Sequence, residues 1–355
     1  MLSASRQLLY KNLTEGEMAR NLILKVFCFT IATSWTAAKS CFDGKIRGAN
    51  LGGWLLLEPW ITPEIFRQLN GEEEYIVDEW TLAEFVDKDL AADILETHWE
   101  TFITKSDLEI LANAGISHLR VPVGYWAVDV SQEEPFPPPR DDSAGILFHL
   151  KKAFIWAEEL GLKILLDLHG APGSQNGFDN SGKRGKVHWL DDGNVERTLK
   201  IIDQFCQLLN KWVNEGAFKA DTIYGIELLN EPWGLDSKVW EEIRDRFYPE
   251  GYKVVRNSTG EEYSVTIQQG FRPWFNFYYY MSDKEAYKGV TLDIHSYHAF
   301  GPIWNVVANQ EDAWNINLEA ACLYHWELMN VTLPTFVGEW SLVLSHALFL
   351  KVFKS

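Results

Sequence analysis

The chain is poor in cysteine and in positive charge. It has four cysteines in 355 residues, Cys28, Cys41, Cys206 and Cys322, with no C-x-x-C spacing. That argues against a structural zinc site. Cys28 lies in an apolar N-terminal stretch, so three remain: one disulfide is possible and one thiol would be left over. The formal net charge is -18, which disfavours nucleic acid or an anionic membrane surface as partner, because phosphates would be repelled. There is no solenoid period, heptad run, low-complexity block or Gly-rich phosphate loop after an early strand; Asn50-Leu51-Gly52-Gly53 lacks that spacing. The one linker-like stretch, Glu133 to Arg140, is too short to separate domains.

What is present suits a large core and a neutral substrate. Hydrophobic residues make up 46% of the chain, enough for one large domain. Aromatics reach 14%, with 16 Trp. Indoles fill cores, and they also stack on the apolar faces of sugars; composition does not separate the two. Met18-Ala19-Arg20-Asn21 precedes a mostly apolar run, Leu22 to Ala38. It reads as a secretory signal cleaved near Ala38, or as a signal anchor if translation starts at Met1. Residues 1–38 are thus an N-terminal extension and 39–355 the catalytic part. Sequons at Asn257-Ser258-Thr259 and Asn330-Val331-Thr332 agree with secretion to the cell surface or cell wall.

From residue 46, short apolar runs alternate with amphipathic stretches. Strands are expected at Ile46–Leu51, Ile116–Pro122, Leu162–His169, Thr222–Leu229, Ser264–Ile267, Val290–Ile294 and Thr335–Gly338. Helices are expected at Thr104–Ala114, Ile146–Leu160 and Glu196–Asn214. This order implies a parallel sheet with crossovers. Arg120, His169, Asn230-Glu231, His295 and Glu339 each fall near the end of a predicted strand. In a (β/α)8 barrel those ends share one face, which holds the active site. Glu231 and Glu339 are 108 residues apart, close to three slightly enlarged units of roughly 31 residues, so they would end strands 4 and 7.

Two carboxyl groups facing each other can cleave a glycosidic bond, one as acid and one as nucleophile. Leu229-Asn230-Glu231-Pro232 places a carboxylate between an amide and a helix breaker, although Asn-Glu-Pro is also a plain strand-to-loop turn. The wider set of strings decides. Arg47-Gly48-Ala49-Asn50-Leu51-Gly52-Gly53-Trp54 and Leu57-Glu58-Pro59-Trp60 come first. Arg120-Val121-Pro122-Val123-Gly124-Tyr125-Trp126 and the stretch Asp167 to Asn180 (DLHGAPGSQNGFDN) follow. Asn230-Glu231-Pro232, His295-Ser296-Tyr297 and Val337-Gly338-Glu339-Trp340-Ser341 complete the series. In this order they resemble glycoside hydrolase family 5, and within it the fungal-type exo-β-1,3-glucanases, over about residues 42 to 343.

The resemblance implies a retaining enzyme that releases glucose from the ends of β-1,3-glucan, without metal or organic cofactor and without a stable protein partner. It implies Glu231 as acid/base and Glu339 as nucleophile, with Arg120 and Tyr297 supporting Glu339. His169, His295 and Asn230 would line the sugar subsite next to the scissile bond. Glu58, Asp179 and Asn180 would bind the terminal glucose, and Phe178 and Phe300 would clamp the pocket mouth. Bland alternatives remain for several: a strand-end salt bridge for Arg120, core histidines for His169 and His295, a loop carboxylate for Glu58, packing for the two phenylalanines. The end of the chain departs from the family. Ser345 to Ser355 (SHALFLKVFKS) does not resemble what should follow, and the tryptophan of strand 8 has no candidate. A C-terminally truncated barrel without a normal eighth βα unit is therefore expected. Other family 5 specificities (an endo-β-glucanase or another β-glycosidase) and an inactive or non-catalytic glucan-binding form are the competing readings.

Overall fold

In the computed structural model, residues 46–70, 75–191, 193–297 and 328–341 are described. Contacts divide the chain into units 1–46 and 47–355. The apolar N-terminal run, Cys28, Cys41, Cys322, Phe300 and everything after Ser341 lie outside the described residues.

Seven strands form one parallel sheet in sequence order: β1 Gly48–Asn50, β2 His118–Gly124, β3 Lys163–Gly170, β4 Ile223–Glu227, β5 Ser264–Gln268, β6 Val290–Tyr297 and β7 Thr335–Ser341. β7 lies against β1, and no ladder joins them among the described residues. The result is a nearly closed (β/α)8-type barrel, as the alternation of strands and helices predicts.

The strands are apolar because both faces are covered, one by the barrel interior and one by helices. Leu119, Val121, Val123, Ile164, Leu166, Ile226, Val265, Ile267, Leu292 and Ile294 are all buried. Eight α-helices are described: α1 Pro63–Asn70, α2 Glu79–Phe85, α3 Lys88–Thr101, α4 Lys105–Asn113, α5 Gly145–Leu160, α6 Asn194–Asn214, α7 Ser237–Glu242 and α8 Tyr248–Thr259. On α6 the buried residues Val195, Thr198, Ile201, Ile202, Phe205, Leu209 and Trp212 recur every three or four positions, a stripe facing the barrel. Cys206 lies in that stripe as a buried free thiol, and burial pushes it up to about 12. α5 stops where predicted: Gly161 takes the left-handed conformation, φ 69°, which glycine adopts without a Cβ penalty. Trp54, Trp189 and Trp212 are fully buried, so part of the tryptophan content is core.

The proline-rich stretch is a strap, not a linker. Phe136 stacks on Trp126 with centroids 4.4 Å apart. Glu134 accepts from the Tyr125 hydroxyl at 2.6 Å and from both terminal nitrogens of Arg197 on α6. Between β1 and β2 the chain is tied down by Glu79, a buried carboxylate at the start of α2. It accepts from the Leu57 amide at 2.7 Å and the Trp126 indole at 2.9 Å. Burial outweighs these bonds and pushes its carboxyl up to about 7.

Folding therefore favours the protonated acid at Glu79, and its contribution to stability declines as pH rises from the ordinary carboxylate range through about 7. Glu79→Ala leaves two buried donors without a partner. It should lower the unfolding free energy by roughly 2–4 kcal/mol in urea titration, with a flatter pH dependence between 5 and 7 (both about).

Candidate active site

The strand ladder brings six carboxyl groups and three basic groups to one end of the barrel. Arg120 stands at their centre. Its side chain is 4% exposed. Nε donates to Glu227 at 2.8 Å and one terminal nitrogen to the other Glu227 oxygen at 3.2 Å. That terminal nitrogen also reaches Asn230 Oδ1 at 2.8 Å and Asp167 at 3.1 Å. The other donates to Glu339 Oε1 at 2.9 Å and to Asn50 Oδ1 at 3.3 Å. Arg120 is thus more than a salt bridge at a strand end. It lies in the first half of β2, because β2 runs on to Gly124, and its long side chain reaches the rim from below.

Glu339 lies within β7. Its Oε2 accepts from the Tyr297 hydroxyl at 2.7 Å and stands 3.5 Å from His295 Nδ1. Burial alone would raise its carboxyl. The charges of His295 and Arg120 and the Tyr297 hydroxyl outweigh burial and hold it down at about 2. Glu231 lies beyond β4, 6% exposed, with φ 41°. Its Oε1 is 2.8 Å from His295 Nδ1, and its Oε2 accepts from the Asn180 amide at 2.9 Å. One ligand atom each of Glu231, His295 and Glu339 all lie within 4.8 Å of one another.

The Asn-Glu-Pro turn does not owe the end of its strand to Pro232. β4 stops at Glu227. The Asn230 amide then donates to Leu168 O on β3 at 2.9 Å, before Pro232 is reached. The turn is fixed from outside by Gln175, which the sequence did not single out. Its amide donates to His169 O at 2.7 Å and Asn230 O at 2.9 Å, its side-chain oxygen accepts from Ala171 N, and its backbone carbonyl accepts from Trp233 N.

His169 Nδ1 lies 2.6 Å from Asp167, and Nε2 lies 3.3 Å from the Asn230 amide nitrogen. Two demands compete there. Burial disfavours the charged ring, but Asp167 and the other acids raise it to about 9. The second contact needs Nε2 as acceptor. Arg120 fixes the Asn230 oxygen and so the direction of its NH2 group; the neutral ring with its proton on Nδ1 satisfies both contacts.

Glu58 is 3% exposed and accepts from the Gly53 amide at 3.0 Å. Burial pushes it up to about 7, with Glu339 and Glu231 adding to the rise and His169 opposing it. Asp179 is raised too, mainly by burial. Phe178 is 39% exposed and meets Trp233 and Phe271 edge-on, at 5.5 and 6.2 Å. Phe300, its expected clamp partner, lies outside the described residues. Glu227, Asp167 and Asp293 also escaped the sequence reading, although each is a lone carboxylate in an apolar strand. The acids Glu227 and Asp293 with His295 offer ligand atoms within 4.8 Å of one another. Arg120 occupies that ground instead, 2.8 Å from Glu227 and 3.5 Å from Asp293.

A barrel with two carboxylates facing each other at its open end is the architecture of a glycoside hydrolase. Residues 86–349 match the cellulase family, glycosyl hydrolase family 5. The chain belongs to that family. It is 40% identical over 296 residues to the probable glucan 1,3-beta-glucosidase A of Aspergillus clavatus, covering 83% of this chain and 65% of that protein. It is 39% identical over 303 residues to the glucan 1,3-beta-glucosidase of Blumeria graminis, covering 84% and 64%. With glucan 1,3-beta-glucosidase I/II of Saccharomyces cerevisiae it shares 34% over 306 residues, again 84% and 64%. The chain thus spans just under two thirds of the length of these relatives. Among solved structures, the rutinosidase from Aspergillus niger superposes with a TM-score of 0.65 at 23% identity, covering 83% of this chain and 79% of that one. AoRut gives 0.66 at 22%, covering 84% and 79%. These likenesses establish the fold.

Tyr297→Phe removes one donor from Glu339. Its carboxyl should rise by about one pH unit from its depressed position, read by 13C NMR titration of labelled glutamate.

Proposed function

We propose that the chain is a retaining exo-β-1,3-glucanase that releases glucose from the non-reducing ends of β-1,3-glucan. The observation that carries this reading is the carboxylate pair. Glu231 and Glu339 have oxygens within 4.8 Å, a spacing suited to direct attack and too close to admit a water between them. Their surroundings differ. Glu339 faces a guanidinium and a phenol and is held ionised. Glu231 faces His295 and Asn180, with no guanidinium on it among the described residues.

In this reading a Glu339 oxygen attacks the anomeric carbon as the bond from that carbon to the leaving oxygen breaks. Glu231 delivers its proton to the leaving oxygen. The product is a glucosyl ester on Glu339 and a shortened glucan. Glu231, now a carboxylate, takes a proton from water as the water oxygen attacks the same carbon. The ester bond breaks, Glu339 is restored, and glucose leaves with the β configuration. Arg120, Tyr297 and His295 stabilise Glu339 as it loses and regains its charge. Asn230 and His169 stand where they can bond the hydroxyls of the reacting sugar. Glu58, Asp179 and Asn180 are assigned to the terminal glucose, and Phe178 to the pocket mouth. Substrate class and end specificity are taken from the glucan 1,3-beta-glucosidase relatives. The exposed sequon asparagines Asn257 and Asn330 support a secreted, glycosylated protein acting at the cell surface or cell wall.

Glucose release from laminarin tests the proposal; a folded chain that releases none would sink it. Glu339→Gln should abolish release, by about a thousandfold or more, with an unchanged circular dichroism melt. Glu231→Gln should slow glucan hydrolysis far more than hydrolysis of an aryl glucoside with an acidic phenol, whose leaving group needs little protonation. Equal losses on both substrates would remove Glu231 from the acid role.

A further inference from the structure

Two buried acids hold matching places in the barrel. Asp167 precedes His169 on β3 and Asp293 precedes His295 on β6, each by two residues. Residues two apart on a strand share a face, so each acid sits beneath its histidine. The first pair closes at 2.6 Å. Asp293 has a wider reach. It is fully buried, and its Oδ1 accepts from the Gly338 amide at 2.6 Å. Its Oδ2 lies 3.5 Å from His295 Nε2 and 3.5 Å from Arg120 Nε. Among the described residues neither Asp293 Oδ2 nor His295 Nε2 has a hydrogen bond, and both are buried. Each is the partner the other lacks. A Cβ at position 338 would stand 2.0 Å from Asp293 Oδ2. The β7 backbone that carries Glu339 is therefore shaped to receive this carboxylate.

We propose that Asp293 is a positioning residue for the two-glutamate site: it keeps His295 doubly protonated between Glu231 and Glu339, and it seats the Gly338 peptide from which Glu339 projects. Only the activity readout below rests on the hydrolase reading. Among the described residues, the groups that face His295 are Asp293 from its own strand, Glu227 and Glu231 from β4 and the turn after it, and Glu339 from β7, whose Oε2 also accepts from Tyr297. Arg120 reaches the same cluster from β2 through Asp293 and Glu339. With oxygens of Glu231 and Glu339 at Nδ1 and an Asp293 oxygen at Nε2, only the imidazolium can donate at both ring nitrogens. The surrounding acids raise its pKa well above the ordinary histidine value against the penalty of burial. A cation lodged there favours the ionised form of Glu339.

The test is 15N NMR of the full chain labelled in histidine, with His295 assigned by its loss in His295→Gln. His295 should remain an imidazolium above about pH 7, and Asp293→Asn should lower its titration midpoint by at least about one pH unit. The same variant should lose about tenfold in kcat on a β-glucoside with KM changed less than about twofold, and the acid limb of kcat should move up by about one pH unit. A neutral His295 at about pH 6 in the unaltered chain would overturn the proposal, and that measurement decides by itself if Asp293→Asn fails to fold. An acid limb in Asp293→Asn that coincides with the parent's would overturn it as well. A parent chain that cleaves no glucoside counts against the hydrolase reading and leaves the NMR result to judge Asp293.

Discussion

The open end of this barrel depends on burying a guanidinium. Arg120 is bonded to groups from β1, β3, β4 and β7, and a carboxylate of β6 lies 3.5 Å away. Taking such an ion out of water costs several kcal/mol, repaid only when its donors are matched in direction. A lysine could not do this, because its three donors lack the planar fork that Glu227 accepts. The arrangement also couples site to fold. Its partners come from strands far apart in sequence, so they meet only when the parallel register is right.

The same arrangement leaves a surplus of buried acid. Asp167, Glu227, Asp293, Glu58, Glu231 and Glu339 share the space with Arg120, His169 and His295. Burial and mutual repulsion push Glu58 and Glu227 upward. Glu339 goes the other way, because it faces the cations and a phenol directly. A set of carboxyls with divided tendencies is poor value for stability, and it is what acid–base and nucleophilic work requires. Replacing the cluster with apolar residues would be expected to stabilise the barrel and end its chemistry.

Much of this was legible in the chain. Seven strands were predicted and seven are observed among the described residues, with shifts at the ends. Ile46–Leu51 shrinks to Gly48–Asn50, the three residues in paired register with β2. Val290–Ile294 extends to Tyr297, because β7 continues the pairing past His295. Glu231 and Glu339 stood out as polar groups closing apolar runs. The lower layer did not. Asp167, Glu227 and Asp293 each interrupt an apolar run, and the repeated Asp-x-His was there to be read. A strand pattern tells which residues share a face, but the depth at which each points into a barrel is set by strand stagger, which no single strand carries. Gln175 was hidden for a related reason: its bonds go to backbone carbonyls, which have no sequence signature.

Gln175 bears on why the turn at Glu231 can exist. A non-glycine residue at φ 41° costs of order 1–3 kcal/mol and persists only when its neighbours overdetermine it. Here they do. Asn230 is held through its amide by Leu168, through its carbonyl by Gln175 and through its side chain by Arg120. Trp233 is held by the Gln175 carbonyl on the far side of Pro232. With both flanks pinned, the left-handed residue between them aims its carboxylate at His295 and Asn180. The strain does work that a relaxed strand could not. A further extended residue would send alternate side chains to opposite faces of the sheet, whereas this turn delivers Asn230 to Arg120 and Glu231 to His295 in consecutive positions. Two adjacent side chains thereby serve one pocket, and the fold's rigidity, not solvent, determines where the second carboxylate stands.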